Sequence, residues 1–196
     1  MSGSTQGESG RPRAATSDPV LHLQREHTLL EQLSGRMREV ADGLHRHDPG
    51  SAEEAGRGLA IHQEILIELH HAKEALLADA VRELPDHGRE AALAQCDAAH
   101  PKAKEFQREA ALALAEARRG VAAASERLAA LFRSEADRLI AHHGEGEGKL
   151  YKDLEKLLPR RAQDRLAELF RGFNAKSSAA EARLAAWSSK LHPASD

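Results

Sequence analysis

Residues 66–84 read LIELHHAKEALLADAVREL, and their spacing decides the fold. Leu66, His70, Glu74, Leu77, Val81 and Leu84 recur three or four residues apart, which places them on one stripe of an α-helix. Four residues turn a helix by about 400°, so His70 and Glu74 point the same way out of that stripe. A charged Glu on an apolar face is costly alone, because desolvation opposes ionisation and an unpaired carboxylate protonates instead. A dication gripped by the pair removes that objection.

The same period extends outward on both sides. Upstream, Asp48-Pro49-Gly50-Ser51 reads as a loop, and Ser51 opens helix two with Glu53 and Glu54 in its first turn, favourable to the helix dipole. Before it, Asp18-Pro19 matches an N-cap followed by proline at the first helical position. Helix one then runs to about His45, carrying Leu23, His27, Leu30, Met37 and Leu44. Downstream, Pro85-Asp86-His87-Gly88 stops helix two. A less regular stretch at 90–99, with a short helix open to it, leads to Pro101, from which helix three is expected to run to about Arg119, with Gly120 in the turn that follows. Helix four is expected over 122–158, with Leu128, Phe132, Leu139, His143, Glu147, Leu150 and Leu154 toward the core, until Pro159 closes it. Two short helices follow at 162–173 and 178–191, and Leu184, Trp187 and Leu191 space the last one to dock on its own domain.

The chain therefore reads as all-α: an up-down-up-down four-helix bundle with short additional C-terminal helices. Residues 1–17 are expected to be a disordered tail rich in Gly, Ser and Thr, 18–174 the bundle, and 175–196 a C-terminal helix and tail. Ala, Leu, Glu and Arg dominate, and their unbranched side chains lose little rotamer freedom in a helix. The formal charge is −3 and both signs are interspersed, which argues against a nucleic-acid or membrane partner. The single Cys96 forms no intramolecular disulfide, and no apolar run approaches the roughly 20 residues that span a bilayer. A soluble, cytoplasmic protein is the expectation.

Against a single Tyr and a single Trp stand 12 His. Histidine is the commonest metal ligand, so its placement matters. Each long helix puts one on its stripe or at its mouth: His27, His70, His100 and His143, with a carboxylate one turn after two of them, Glu74 and Glu147. Imidazole and carboxylate together suit iron, and bundle cores commonly hold carboxylate-bridged pairs.

These residues resemble the hemerythrin-like, HHE cation-binding family. The matches are Glu26-His27; Leu69-His70-His71-Ala72-Lys73-Glu74; Ala99-His100 leading to Ala103-Lys104; and His142-His143 through Glu147 to Leu150-Tyr151. The resemblance covers about 19–176. It implies two non-haem iron ions, bridged by oxide or hydroxide, held by His27, His70, Glu74, His100, His143 and Glu147. The chain departs from the family in three places. Ala75, Leu76, Leu77, Ala78 and Asp79 replace a run of Glu, and Gly144, Gly146 and Gly148 replace further Glu, softening helix four. Lys104 stands where oxygen carriers have a second histidine, which leaves one iron short of a protein ligand.

Within the matches, His70 is preferred to His71 because the stripe passes through 70, and His71 is expected to face a boundary or a neighbouring helix. His143 is preferred to His142, which aligns with Arg138, Glu145 and Lys149; a His142-to-Glu147 pairing stays open if the glycines allow a bulge. His100, just before Pro101, has the alternative of a simple helix-start residue. His62 reads as core or as a supporting residue, while His22, His45, His47, His87 and His192 read as solvated, and Asp79, Glu83 and Lys104 as surface charges. Function then divides in two: a di-iron protein that binds or senses O2, peroxide or NO, or an enzyme of peroxidase or catalase-like activity, favoured by the vacancy at Lys104. Tyr151 is a candidate supporting donor, and iron storage ranks below both. The partner implied is a small diatomic or peroxide ligand; the sequence identifies no protein partner.

Overall fold

A computed structural model describes residues 19–84, 89–144, 156 and 158–189, and contains no strand among them. Helix α1 (Pro19–His45) starts on the proline, whose missing N–H costs nothing in a first turn. Its C-terminal turn uses His47 and Gly50 at positive φ, 55° and 80°. Ser51 is the first residue of α2 (Ser51–His62) rather than its cap: Gly50 holds the cap position, and Ser51 Oγ donates back to the Asp48 carbonyl at 2.5 Å. A five-residue reversal is thereby closed without a side-chain cap.

Helix two is not regular, contrary to the sequence expectation. After α2 the chain widens into a π-helical segment, Gln63–His70, and continues directly as α3 (His71–Arg82). A π turn takes up extra residues per turn, so it rotates everything after it relative to an unbroken α-helix. His70, His71, Lys73 and Glu74 are all buried as a result.

Helix α4 (Arg89–Ala117) also departs from expectation, since it passes through Pro101 instead of starting there. Proline inside a helix removes one ladder hydrogen bond and crowds the carbonyl four residues back, at about 3 kcal/mol. Against that stand an Ala-rich flank of high helix propensity and the burial of Ala103, Phe106 and Ala110 on the same helix. The turn after α4 uses Gly120 at φ 82°, a left-handed conformation that favours glycine. Helix α5 (Ala122–Gly144) is described to Gly144; residues 145–155 of the expected helix four, with Glu147 and Tyr151, lie outside the described residues, as do the expected tail at 1–17, His87 and His192.

Helix α1 lies along α5, α5 along α4, α4 along both α2 and α3, and α2 against α1. Two apolar clusters form between them. The larger includes Leu30, Met37, Leu66, Leu69, Phe106 and Phe132; the smaller comprises Leu23, Leu77, Val81, Leu158, Leu166 and Phe170. The short helices α6 (Arg160–Arg171) and α7 (Asn174–Ser188) complete them. Phe170 joins the smaller cluster, while Leu184 and Trp187 join the larger, so the last helix docks on its own domain as its spacing predicts. Trp187 Nε1 donates to Glu54 at 2.7 Å, and the Arg36 guanidinium lies 4.9 Å from the indole centroid. A Cβ on Gly58 would come within 2.9 Å of the Trp187 ring, so this close approach requires glycine. No helix of the described residues is long and apolar enough to cross a membrane.

Candidate metal centre

Between the two apolar clusters lies a polar layer. On α1, Leu23 belongs to the smaller cluster and Leu30 to the larger, with Glu26 and His27 between them. On the neighbouring rod, Leu69 belongs to the larger and Leu77 to the smaller, with His70, His71, Lys73 and Glu74 between. His100 reaches the layer from α4.

Glu74 is its middle. Its Oε1 lies 3.5 Å from His70 Nε2, and its Oε2 lies 3.0 Å from His100 Nε2, so the two oxygens face different imidazoles. The His27 ring meets that of His70 edge-on with centroids 5.4 Å apart. The His71 ring lies at 4.1 Å and 30° from that of His100. Ligand atoms of His71, Glu74 and His100 all fall within 4.8 Å of one another. Burial raises the cost of the Glu74 charge, but the His70 imidazole and the hydrogen bond with His100 hold its carboxyl well below the usual range.

Two buried histidines on one rod offer an internal comparison. Gln107 donates to His62 Nδ1 at 2.6 Å, His62 Nε2 meets Glu135 Oε1 at 2.7 Å, and Arg138 donates to Glu135 twice, at 2.6 and 2.7 Å. Every polar atom of that ring is satisfied, as a core histidine's should be. His71 is buried to a similar degree, yet neither ring nitrogen finds a hydrogen-bond partner among the described residues. Burial, followed by the adjacent His100, pushes its pKa down to about 3. The ring is therefore neutral at pH 7, with a lone pair aimed into a group of donors, which is the form that binds metal.

The structure thus brings together His27, His70, Glu74 and His100 of the residues singled out by spacing. The His143 side chain and Glu147 lie outside the described residues, as does the choice between His142 and His143. His71 faces a neighbouring helix, the second of its two expected placements, and against expectation that puts it inside the layer, its ring on that of His100 from α4. His100 is likewise no helix-start residue but the twelfth of α4, its side chain 24 % exposed. Lys104, Asp79 and Glu83 are exposed, and His45 and His47 are solvent-facing beside Glu126. His22 is half-buried with its ring edge-on to Phe170.

Sequence reasoning passed over Glu26 and Lys73. Both are buried; Lys73 Nζ donates to Glu26 Oε1 and to Ser177 Oγ, the latter at 3.4 Å, while Glu26 Oε2 lies 3.3 Å from His70 Nδ1. Burial opposes ionisation of Glu26, and His70 and Lys73 outweigh it, keeping the carboxyl below its ordinary value. The signal available was the position of Glu26 three residues from Leu23 and four from Leu30. The donor set of imidazoles around a buried carboxylate fits a transition-metal ion. Compared with known protein families, with curated proteins and with solved structures, the chain finds no match.

Proposed function

We propose that this chain is a hemerythrin-like four-helix bundle whose polar layer holds a pair of non-haem iron ions, and that it binds or senses O2, peroxide or NO. The observation that carries the reading is His71: a buried imidazole, neutral at pH 7, with both nitrogens unpartnered among the described residues and a carboxylate and second imidazole beside it. A group left so is costly, at about 1–3 kcal/mol, unless something else satisfies it.

The residues that would hold the metals are His27, His70, Glu74, His100, His143 and Glu147, with His71 added to them. Glu74 is suited to bridge, since one oxygen faces His70 and the other His100. A ferrous pair supplies Lewis acidity and reversible electron transfer to small ligands. The chain's own contribution is to present the imidazoles, His71 in its neutral form, to keep Glu74 ionised, and to exclude water with apolar clusters on both sides. The enzymatic alternative drew on a vacancy opposite Lys104. That argument weakens here, because Lys104 is exposed while His71 offers an imidazole from another helix. Binding is accordingly preferred to turnover.

The test is metal analysis after anaerobic loading of the metal-free chain with ferrous iron, with absorption spectra before and after O2. Two irons per chain and a spectrum that changes reversibly with O2 are expected. A chain that retains no iron ends the proposal.

A further inference from the structure

We infer that Glu26, clamped by Lys73, is a positioning residue: it accepts a hydrogen bond from His70 Nδ1 and thereby holds Nε2 on the side of Glu74. His70, Glu26 and Lys73 form a continuous buried line, with His70 Nδ1 at 3.3 Å from Glu26 Oε2 and Lys73 Nζ bonded to Glu26 Oε1. An ionised carboxylate only accepts hydrogen bonds, so the proton between Glu26 and His70 belongs to the ring nitrogen. With Nδ1 committed, Nε2 is the nitrogen left to face Glu74, 3.5 Å away. The ring is thereby fixed in azimuth.

Lys73 gives the arrangement its charge balance and its anchorage. It cancels the Glu26 charge, so that Glu26 supports the layer without adding a negative charge to it. Its ammonium is held in turn by Ser177 Oγ at 3.4 Å and by the faces of Phe170 and Phe173, at 5.8 and 5.6 Å from their centroids. A buried ion pair is seldom kept for stability, since apolar side chains of the same volume do as well. Its use here is orientation. Partners of this kind, which hold the far nitrogen of a ligating histidine, change metal affinity by about ten- to a hundredfold when removed.

The metal role rests on the reading above; the hydrogen bond does not, and the experiment separates them. The first measurement uses the metal-free full chain, labelled with 15N at histidine, and looks for an exchange-protected His70 Nδ1–H by NMR. It is expected in the wild type and lost in the double variant Glu26→Leu/Lys73→Met, which keeps the volume without the buried charges. Glu26→Gln, whose amide can accept or donate, is expected to leave that proton only partly protected. The second measurement is zinc affinity by chelator competition on the same proteins, expected to fall ten- to a hundredfold in both variants while thermal unfolding stays cooperative. A His70 Nδ1 without a proton in the wild type overturns the inference, and so does wild-type zinc affinity in the folded double variant. A wild type that shows the N–H but binds neither zinc nor iron overturns the metal reading and leaves the hydrogen bond standing.

Discussion

Replacing His71 by leucine should stabilise the metal-free protein and weaken its hold on metal, two effects of opposite sign from one side chain. His71 is 5 % exposed with both ring nitrogens unsatisfied among the described residues. Removing an orphaned buried polar group recovers about 1–3 kcal/mol. A hydrophobic side chain of slightly different shape gives back up to about 1.5 kcal/mol in imperfect fit. The net expectation is about 1–2 kcal/mol in favour of the variant, or about 2–8 °C in Tm for a domain of this size. Metal closes most of that gap. At a zinc concentration 100 times Kd, the wild type gains about 2.7 kcal/mol. A tenfold loss of affinity in His71→Leu removes about 1.4 kcal/mol of that gain. Calorimetry of both proteins, stripped with chelator and then titrated with zinc, reads both quantities. A variant less stable than wild type when stripped, yet with an undiminished zinc-induced rise in Tm, would refute the claim that His71 is a ligand held ready at a cost to stability.

Three further outcomes are expected. The stripped wild type should lose stability as pH falls from about 6.5 toward about 3, because the folded His71, with its pKa pushed down to about 3, binds its proton later than the unfolded chain does; the slope approaches about 1.4 kcal/mol per pH unit and should be shallower in His71→Leu by chemical denaturation. Gly58→Ala should cost about 1–3 kcal/mol, since the new methyl meets the Trp187 ring at 2.9 Å, and the emission of Trp187, the single tryptophan, should shift to the red as the indole is displaced. Lys104→His should leave iron content and oxygen response unchanged, because position 104 is exposed; a gain of metal would restore the idea of a vacancy there.

What the sequence made legible was whatever a regular helix preserves. His27, His70 and Glu74 were found because they share a stripe with leucines, and the structure does set their side chains together. His71 was passed over because only His70 lies on the leucine stripe; His71 is enclosed by the His100 ring from α4, which no period along one helix encodes. His100 was underrated for a related reason: the local bias against α conformation before proline is real, but the tertiary burial of Ala103 and Phe106 overrides it. Glu26 and Lys73 look like surface charges in a linear pattern. The place of Glu26 between Leu23 and Leu30 is a faint signal, and the pairing of α1 with α3, across 47 residues, is what gives its charge a partner inside. The C-terminal docking was readable from Leu184 and Trp187, though not the contact of the indole with Gly58, which no period encodes.

The polar layer divides the interior into two apolar bodies of unequal size, and this bears on how the molecule breathes. Such bodies, joined across a seam of charged and aromatic groups instead of continuous hydrocarbon, can open separately, the smaller at lower free energy. The end built from Leu23, Val81, Leu166 and Phe170 would then exchange its amide hydrogens before the rest does. The proposed ligands from α1, α3 and α4 lie along that seam, so a bound ion would act as a rivet between the two bodies. Loading would slow exchange most at the small end, far beyond the residues that touch the ion, and a change of occupancy would be felt there as a change in local order.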